Sequence, residues 1–266
     1  MEGLTLNSTE LLDVAENAAR LGAKCLLDWV DEFSVSEKGR ADLVTDADFA
    51  SQTAIVNQIT EHFPSHHMLG EEGLTRDDGE SDYRWVIDPL DGTSNYVHGF
   101  PYYCVSIGLE FQGELVLGVV YDPNRDEMFS AFREQGAKLN GKLITPSSIN
   151  SLDQAMLMAS LPVGTNGRDI AIDRFLQVLP VAQALQRTGS AALNLSYVAT
   201  GRIEGYWSSN LKPWDMAAGV LICREAGGTV TSIEDSGFTI ETPSVLATNG
   251  TNVHADLQLL LTGSLF

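Results

Sequence analysis

The stretch Trp85-Val86-Ile87-Asp88-Pro89-Leu90-Asp91-Gly92-Thr93-Ser94-Asn95 decides how the rest of the chain is read. The apolar run Trp85 to Ile87 predicts the end of a buried strand. Pro89 has no N–H to give a ladder, and so predicts the stop. Asp88 then stands at the strand mouth, with Asp91 three residues on across a tight turn. Two carboxylates held that close repel each other unless a cation lies between them. Gly92 lets the backbone approach a ligand, while Thr93 and Ser94 offer a hydroxyl and N–H groups at a helix start, which suits a phosphate. Hard oxygen ligands beside an anion seat point to Mg²⁺ bridging to a phosphate. Asp-Pro and Asp-Gly are also ordinary loop punctuation, so the stretch alone leaves a solvent turn as the alternative.

Upstream, Leu12, Ala15, Ala19, Leu26 and Trp29 recur near helical spacing and predict an amphipathic helix from Thr9 to about Phe33. Asp42-Leu43-Val44-Thr45 leads into a second helix, capped by Thr45 with Asp48 three residues later, that runs to Pro64. His66 to Gly70 predicts a short strand delivering Glu71 and Glu72, and the polar, acidic Thr75 to Asp82 predicts an exposed loop. Downstream, Tyr102–Phe111 and Glu114–Tyr121 read as strands of a hairpin turning at Gln112-Gly113, followed by a strand Glu127–Phe132 and a turn at Asn140-Gly141. From about Leu152 strands and helices alternate. The strands are Met156–Ala159, Ala184–Arg187, Ile203–Trp207, Val230–Ile233 and Val245–Ala247. The helices are Asp169–Leu179, Ala191–Thr200, Asp215–Ala226 and Val253–Leu260. This predicts an α+β fold in layers, with residues 1–150 as an N-terminal half and 151–266 as a C-terminal half that share one interface.

The 266 residues carry a formal charge of −20. Such a surface repels nucleic-acid backbone and anionic membrane, and no basic stripe offsets it, so neither is an expected partner. Cys25, Cys104 and Cys223 are odd in number, lack Cys-x-x-Cys spacing, and fit reduced thiols in a cytoplasmic protein. The N-terminus lacks a signal pattern, and no apolar run is long enough to span a bilayer.

Gly70-Glu71-Glu72-Gly73 and Trp214-Asp215-Met216-Ala217-Ala218-Gly219 are each unremarkable alone, as a solvated acid pair and a helix-start acid. Together with the central stretch they carry a resemblance to the inositol monophosphatase family of Mg²⁺-dependent phosphomonoesterases. Asp42-Leu43-Val44-Thr45-Asp46-Ala47-Asp48, Phe100-Pro101 and Glu225-Ala226-Gly227-Gly228 match as well, and the resemblance runs in register over nearly the whole chain. It implies the layered α-β-α-β-α sandwich of the inositol monophosphatase and fructose-1,6-bisphosphatase type. It implies two to three Mg²⁺ ions held by Glu71, Asp88, the Leu90 carbonyl, Asp91 and Asp215, with Asp88 bridging two of them. By the same resemblance Glu71 and Thr93 orient or deprotonate the attacking water, Asp48 holds the Thr93 hydroxyl, and the Gly92 and Thr93 N–H groups bind phosphate oxygens. A homodimer is also implied.

The implied reaction is hydrolysis of a small polyol or sugar phosphate monoester, with inositol monophosphate the leading candidate. Rivals in the same class are fructose 1,6-bisphosphate, histidinol phosphate and 3′-phosphoadenosine 5′-phosphate. A rival from another class is a non-catalytic regulatory or binding protein on the same fold. The inositol enzymes carry an acid seven positions before the third-motif Asp, where this chain has Ser208. A shorter, neutral side chain there changes charge and reach. Asp91, Ser208, Asp215 and the segment Ser190-Ala191 are the expected substrate contacts beside the Gly92–Thr93 seat.

Overall fold

The computed structural model describes residues 7–30, 34–39, 42–161, 169–234 and 237–263. Seven helices are described: α1 Ser8–Asp28, α2 Asp46–His62, α3 Thr93–Val97, α4 Ile170–Val178, α5 Ala191–Ala199, α6 Pro213–Ala226 and α7 Asn252–Thr262. Helix α1 starts on Asn7, whose side chain accepts the Glu10 N–H, and buries Leu11, Val14, Ala15, Ala18 and Leu26 along one face. It closes at Asp28, earlier than its apolar spacing suggests. Trp29, expected on the buried face, lies past that end and is exposed, and Phe33 falls outside the described residues.

An eight-stranded sheet runs, in spatial order, Lys142–Leu143, Ala137–Leu139, Glu127–Phe132, Glu114–Asp122, Cys104–Phe111, Tyr83–Asp91, His67–Gly70 and Thr75–Arg76. Neighbours are antiparallel except His67–Gly70 with Tyr83–Asp91. Thr75–Arg76 is thus an edge strand where a loop was expected, because its backbone finds Met68 and Leu69 across the Gly70–Gly73 turn. The pair Val35–Gly39 and Asp42–Thr45 forms a separate antiparallel ribbon that lacks the alternation by which a strand is read. A second, five-stranded sheet runs Ala184–Gln186, Met156–Ala159, Gly205–Ser208, Val245–Thr248 and Thr229–Thr231, and mixes parallel with antiparallel pairs.

Five layers result, an α-β-α-β-α sandwich. Helices α1 and α2 cover the outer face of the first sheet, where Trp85, Ile87, Leu90, Ile107 and Leu109 meet Ala15, Ala19, Ile55 and Ile59. Helices α5 and α6 lie between the sheets, and α4 with α7 packs on the far face of the second. The middle layer sits unusually close to the first sheet. A Cβ on Gly118 would stand 2.5 Å from the Ala218 carbonyl oxygen, and one on Gly108 2.8 Å from the Ala217 Cβ. Only hydrogen at both positions lets α6 lie flat on those strands, which brings its N-terminal turn against Asp88 and Asp91. Among the described residues no helix is long and apolar enough to cross a membrane.

Candidate functional site

The strand does not stop at Pro89. It continues to Asp91 through a bulge, with Asp88 opposite Ser106 and Asp91 opposite Cys104, so that Pro89 and Leu90 together face Val105. The reason is local: a bulged position needs no ladder N–H, and proline is tolerated there. The consequence is chemical. In a regular strand residues three apart point to opposite faces, but the extra residue resets the alternation. Asp88 and Asp91 therefore share the face covered by α6, while the Leu90 side chain turns into the core on the other side.

Each carboxylate is held by named donors. Asp88, almost wholly buried, accepts the Leu90 N–H at 3.0 Å. Asp91 Oδ2 accepts the Ser190 hydroxyl at 2.6 Å and the Ala192 N–H at 2.7 Å, with the Cys104 thiol at 3.8 Å. Ser190 is the N-cap of α5, so one hydroxyl both starts that helix and ties it to Asp91; Ala191 is buried beside it. Asp215, in the first turn of α6, accepts the Lys212 N–H at 2.8 Å. Glu71 follows the strand His67–Gly70, and its N–H donates to the Ile87 carbonyl at 3.3 Å, one residue before Asp88.

The electrostatics are those of crowded acids. Burial, then the charges of Glu71, Asp91 and Asp215, push the Asp88 carboxyl well above the usual range. Asp215 is pushed up to about 8 by burial and then by Asp91 and Glu71. Asp91 is raised by burial against the opposing pull of its hydrogen bonds. Among the described residues neither Asp88, Asp91 nor Asp215 forms an ion pair with a Lys, Arg or His. These oxygens are hard donors, and a divalent cation is the partner that such a set fits. They sense one another's charge without having converged into a finished cage, since no three His, Cys, Asp or Glu among the described residues stand in ion-holding geometry.

Thr93 opens the single-turn α3 behind Gly92, whose φ of 103° and close neighbours (a Cβ would lie 3.0 Å from the Tyr102 carbonyl oxygen) admit only glycine. The Thr93 hydroxyl lies 3.1 Å from the Leu90 carbonyl and 3.5 Å from Asp48 Oδ1. One O–H has one proton, so Leu90 is its principal acceptor here, and the expected Asp48 contact is the longer one. Asp48 Oδ2 takes the Thr45 N–H at 2.9 Å as the cap of α2. Ser208 is buried on the α6 side of the second sheet and interacts with Tyr206, whose hydroxyl meets Ser160 at 2.8 Å and feels the charges of Asp91 and Asp215.

Three residues escaped the sequence reading. Ser51 donates to the Pro89 carbonyl at 2.9 Å and so pins the bulge to α2, a contact that its place one turn after Asp48 hints at. Asn95 donates to the Tyr102 and Thr188 carbonyls at 2.7 and 2.8 Å and lies within the central stretch itself. Tyr206 had no signal beyond its place two residues before Ser208. Cys104 and Cys223 are buried and Cys25 half-buried, and all three are free thiols.

A layered sandwich with acids gathered at a strand bulge and a helix start defines a known class. Residues 7–262 match the family described as the Inositol monophosphatase family, and the chain belongs to it. It is 40% identical over 253 residues to an inositol-1-monophosphatase of Synechocystis sp., covering 94% of this chain and 88% of that protein. It is also 39% identical over 247 residues to the Nus factor SuhB of Pseudomonas aeruginosa, covering 90% and 91%. Among solved structures, the extragenic suppressor protein suhB of Bartonella henselae superposes with a TM-score of 0.91 at 36% identity, covering 96% of this chain and all of that one (100%).

Proposed function

We propose that the chain is a Mg²⁺-dependent phosphatase that hydrolyses a small polyol or sugar phosphate monoester in the cytoplasm, with inositol monophosphate as the leading substrate. The observation that carries this reading is the gathering of Asp88, Asp91 and Asp215, the first two buried, beside Glu71, with none of the three aspartates in an ion pair among the described residues. A protein keeps such a group where a cation completes it. The likeness to an inositol-1-monophosphatase supports the substrate class.

Glu71, Asp88, Asp91, Asp215 and the Leu90 carbonyl would hold the metal. When bound, Mg²⁺ supplies positive charge to the phosphate and to the leaving oxygen and makes water a better nucleophile. The chain's own groups do the rest. Gly92 and Thr93 present N–H groups to phosphate oxygens, and no side chain projects from Gly92 to obstruct them. Glu71 accepts the proton of the attacking water, and the Thr93 hydroxyl orients that water by turning from Leu90 toward Asp48. Asp91, fixed by Ser190 and Ala192, and Ser208, lodged beside Tyr206, face the polyol end; no protein nucleophile is required.

A second reading is a regulatory or binding protein on this fold, favoured by the likeness to a Nus factor. The net charge of −20 weighs against direct contact with nucleic acid. Phosphate release from a panel of polyol and sugar phosphates, with Mg²⁺ and with a chelator, separates the two. Metal-dependent turnover is expected, and a flat panel with Mg²⁺ present would leave the regulatory reading standing.

A further inference from the structure

A cavity of about 500 Å³ lies at the other end of α6, between that helix, the Gln112-Gly113 hairpin and the segment 238–241. Its walls include Arg84, Arg133, Arg224, Leu221, Phe238 and Ile240. The size is that of a small organic ligand. Arg224 is nine residues beyond Asp215, about 14 Å along the helix, so the cavity is separate from the acid cluster.

What the lining can offer a ligand is decided by which groups are already partnered. Four glutamates border the space, and three are committed. Arg84 takes Glu110 at 2.6 Å and Glu241 at 3.0 Å. The two carboxylate oxygens of Glu225 accept the Glu134 and Gly136 N–H groups, each at 2.9 Å. Glu114 makes no such bond among the described residues, and its charge acts on the Arg224 guanidinium. The lining keeps one more glutamate than arginine, so an anion would be recognised by the open guanidinium forks of Arg133 and Arg224 rather than by net charge. Among the described residues neither of those two guanidiniums forms an ion pair, and neither has a carboxylate within hydrogen-bonding distance. The Arg224 guanidinium lies over the Phe238 ring at 5.1 Å and reaches the Val230 carbonyl only at 3.5 Å. Among the described residues Arg20, Arg84, Arg125, Arg174 and Arg202 are each held by a carboxylate, whereas these two guanidiniums border one cavity without one.

We propose that this cavity binds a small organic anion, a carboxylate or phosphate group on a flat apolar body. The head group would lie between Arg133 and Arg224, each of which offers paired N–H donors to two oxygens of an oxyanion. The body would lie on Phe238, Leu221 and Ile240, which supply the apolar wall that an inorganic ion would not use. The assignment does not depend on phosphatase activity.

The test is titration calorimetry on the full chain in a metal chelator, where the acid cluster repels anions. The probes are benzoate, phenylphosphonate and neutral benzamide. One-to-one binding of an anionic probe is expected, with benzamide at least about tenfold weaker. Preference for phenylphosphonate would mark the natural ligand as a phosphate ester, and preference for benzoate as a carboxylate. Arg133→Gln, whose side chain is exposed, and Arg224→Gln should each weaken binding about tenfold. Phe238→Ala should weaken it while leaving the preference for anions intact. Binding of benzamide as tight as benzoate would overturn the proposal. So would anion binding unchanged in both arginine variants, or no binding of either anion at millimolar concentration. Because the Arg133 side chain makes no hydrogen bond or ion pair among the described residues, its variant keeps the test decisive even where Arg224→Gln disturbs the 238–241 segment.

Discussion

The two ends of α6 meet opposite electrostatic situations. At its N-terminal turn Asp215 joins Asp88, Asp91 and Glu71; the charges of Glu71 and Asp91 raise both Asp88 and Asp215, and none of the three aspartates forms an ion pair among the described residues. Towards its C-terminal end the first sheet offers Arg84 held between Glu110 and Glu241, beside the open guanidiniums of Arg133 and Arg224. Both ends rest on one sheet, and Val86 lies between Arg84 and Asp88 on the same face. The difference teaches how to tell a site from a brace. A paired charge contributes to the fold, whereas a buried unpaired one costs folding energy and is explained by what it binds.

The widest gap between the two ends should come from Asp88→Asn. Activity is expected to fall at least about a hundredfold, because a neutral amide cannot serve where a shared anion is needed. The same change should raise the melting temperature of the metal-free protein by removing a repelled buried charge. The amide oxygen still accepts the Leu90 N–H. Phosphate release and thermal melting in a chelator read both effects, and near-normal turnover would sink the role given to Asp88.

Gly118→Ala acts on the helix between the two ends. Its Cβ would sit 2.5 Å from backbone, so α6 must lift, at a cost of about 1–3 kcal/mol in urea unfolding. Activity should fall with it, as Asp215 moves away from Asp88. At the Arg84 end, Glu110→Gln should destabilise by about 1 kcal/mol, the reverse sign of Asp88→Asn in the metal-free protein. Equal signs would erase the contrast.

Proton linkage gives a smaller, graded test. Asp88 and Asp215 have folded pKa values above those of the unfolded chain, so the folded state retains protons that the unfolded chain has lost. Their contribution to stability is therefore lost as pH rises from the ordinary Asp value towards about 8 for Asp215. His66, buried between Phe63 and Tyr83 and lowered to about 4, acts oppositely below its ordinary value of 6.5. The clean window runs from about 6.5 to 8. Metal-free protein should lose melting temperature across it, and Mg²⁺ should flatten the slope. A rise with pH in the chelator would contradict the unpaired-acid picture. The smallest effect expected is a shift in preference: Ser208→Glu should raise kcat/KM for inositol monophosphate relative to the best substrate of the parent protein. An unchanged ratio would take Ser208 out of the substrate pocket.

What the chain declared on its own was chemistry and local form. Carboxylate identity, spacing and the three motifs marked the family. Periodicity and turn residues placed most elements to within a residue or two, as at Met156–Ala159 and Glu127–Phe132. Local signals suffice where a segment's own pattern sets its conformation. The bulge at Pro89 was misread because a proline in a strand looks like a stop until the partner strand shows that two residues face one. The ribbon at Val35–Thr45 and the edge strand Thr75–Arg76 exist only because distant backbone pairs with them. The shared face of Asp88 and Asp91, the approach of α6 at Gly118, and the pairing of Arg84 that leaves Arg133 and Arg224 open were decided by register and layer packing. Those are relations between residues far apart in sequence, and one strand's pattern carries no record of which neighbour it will meet.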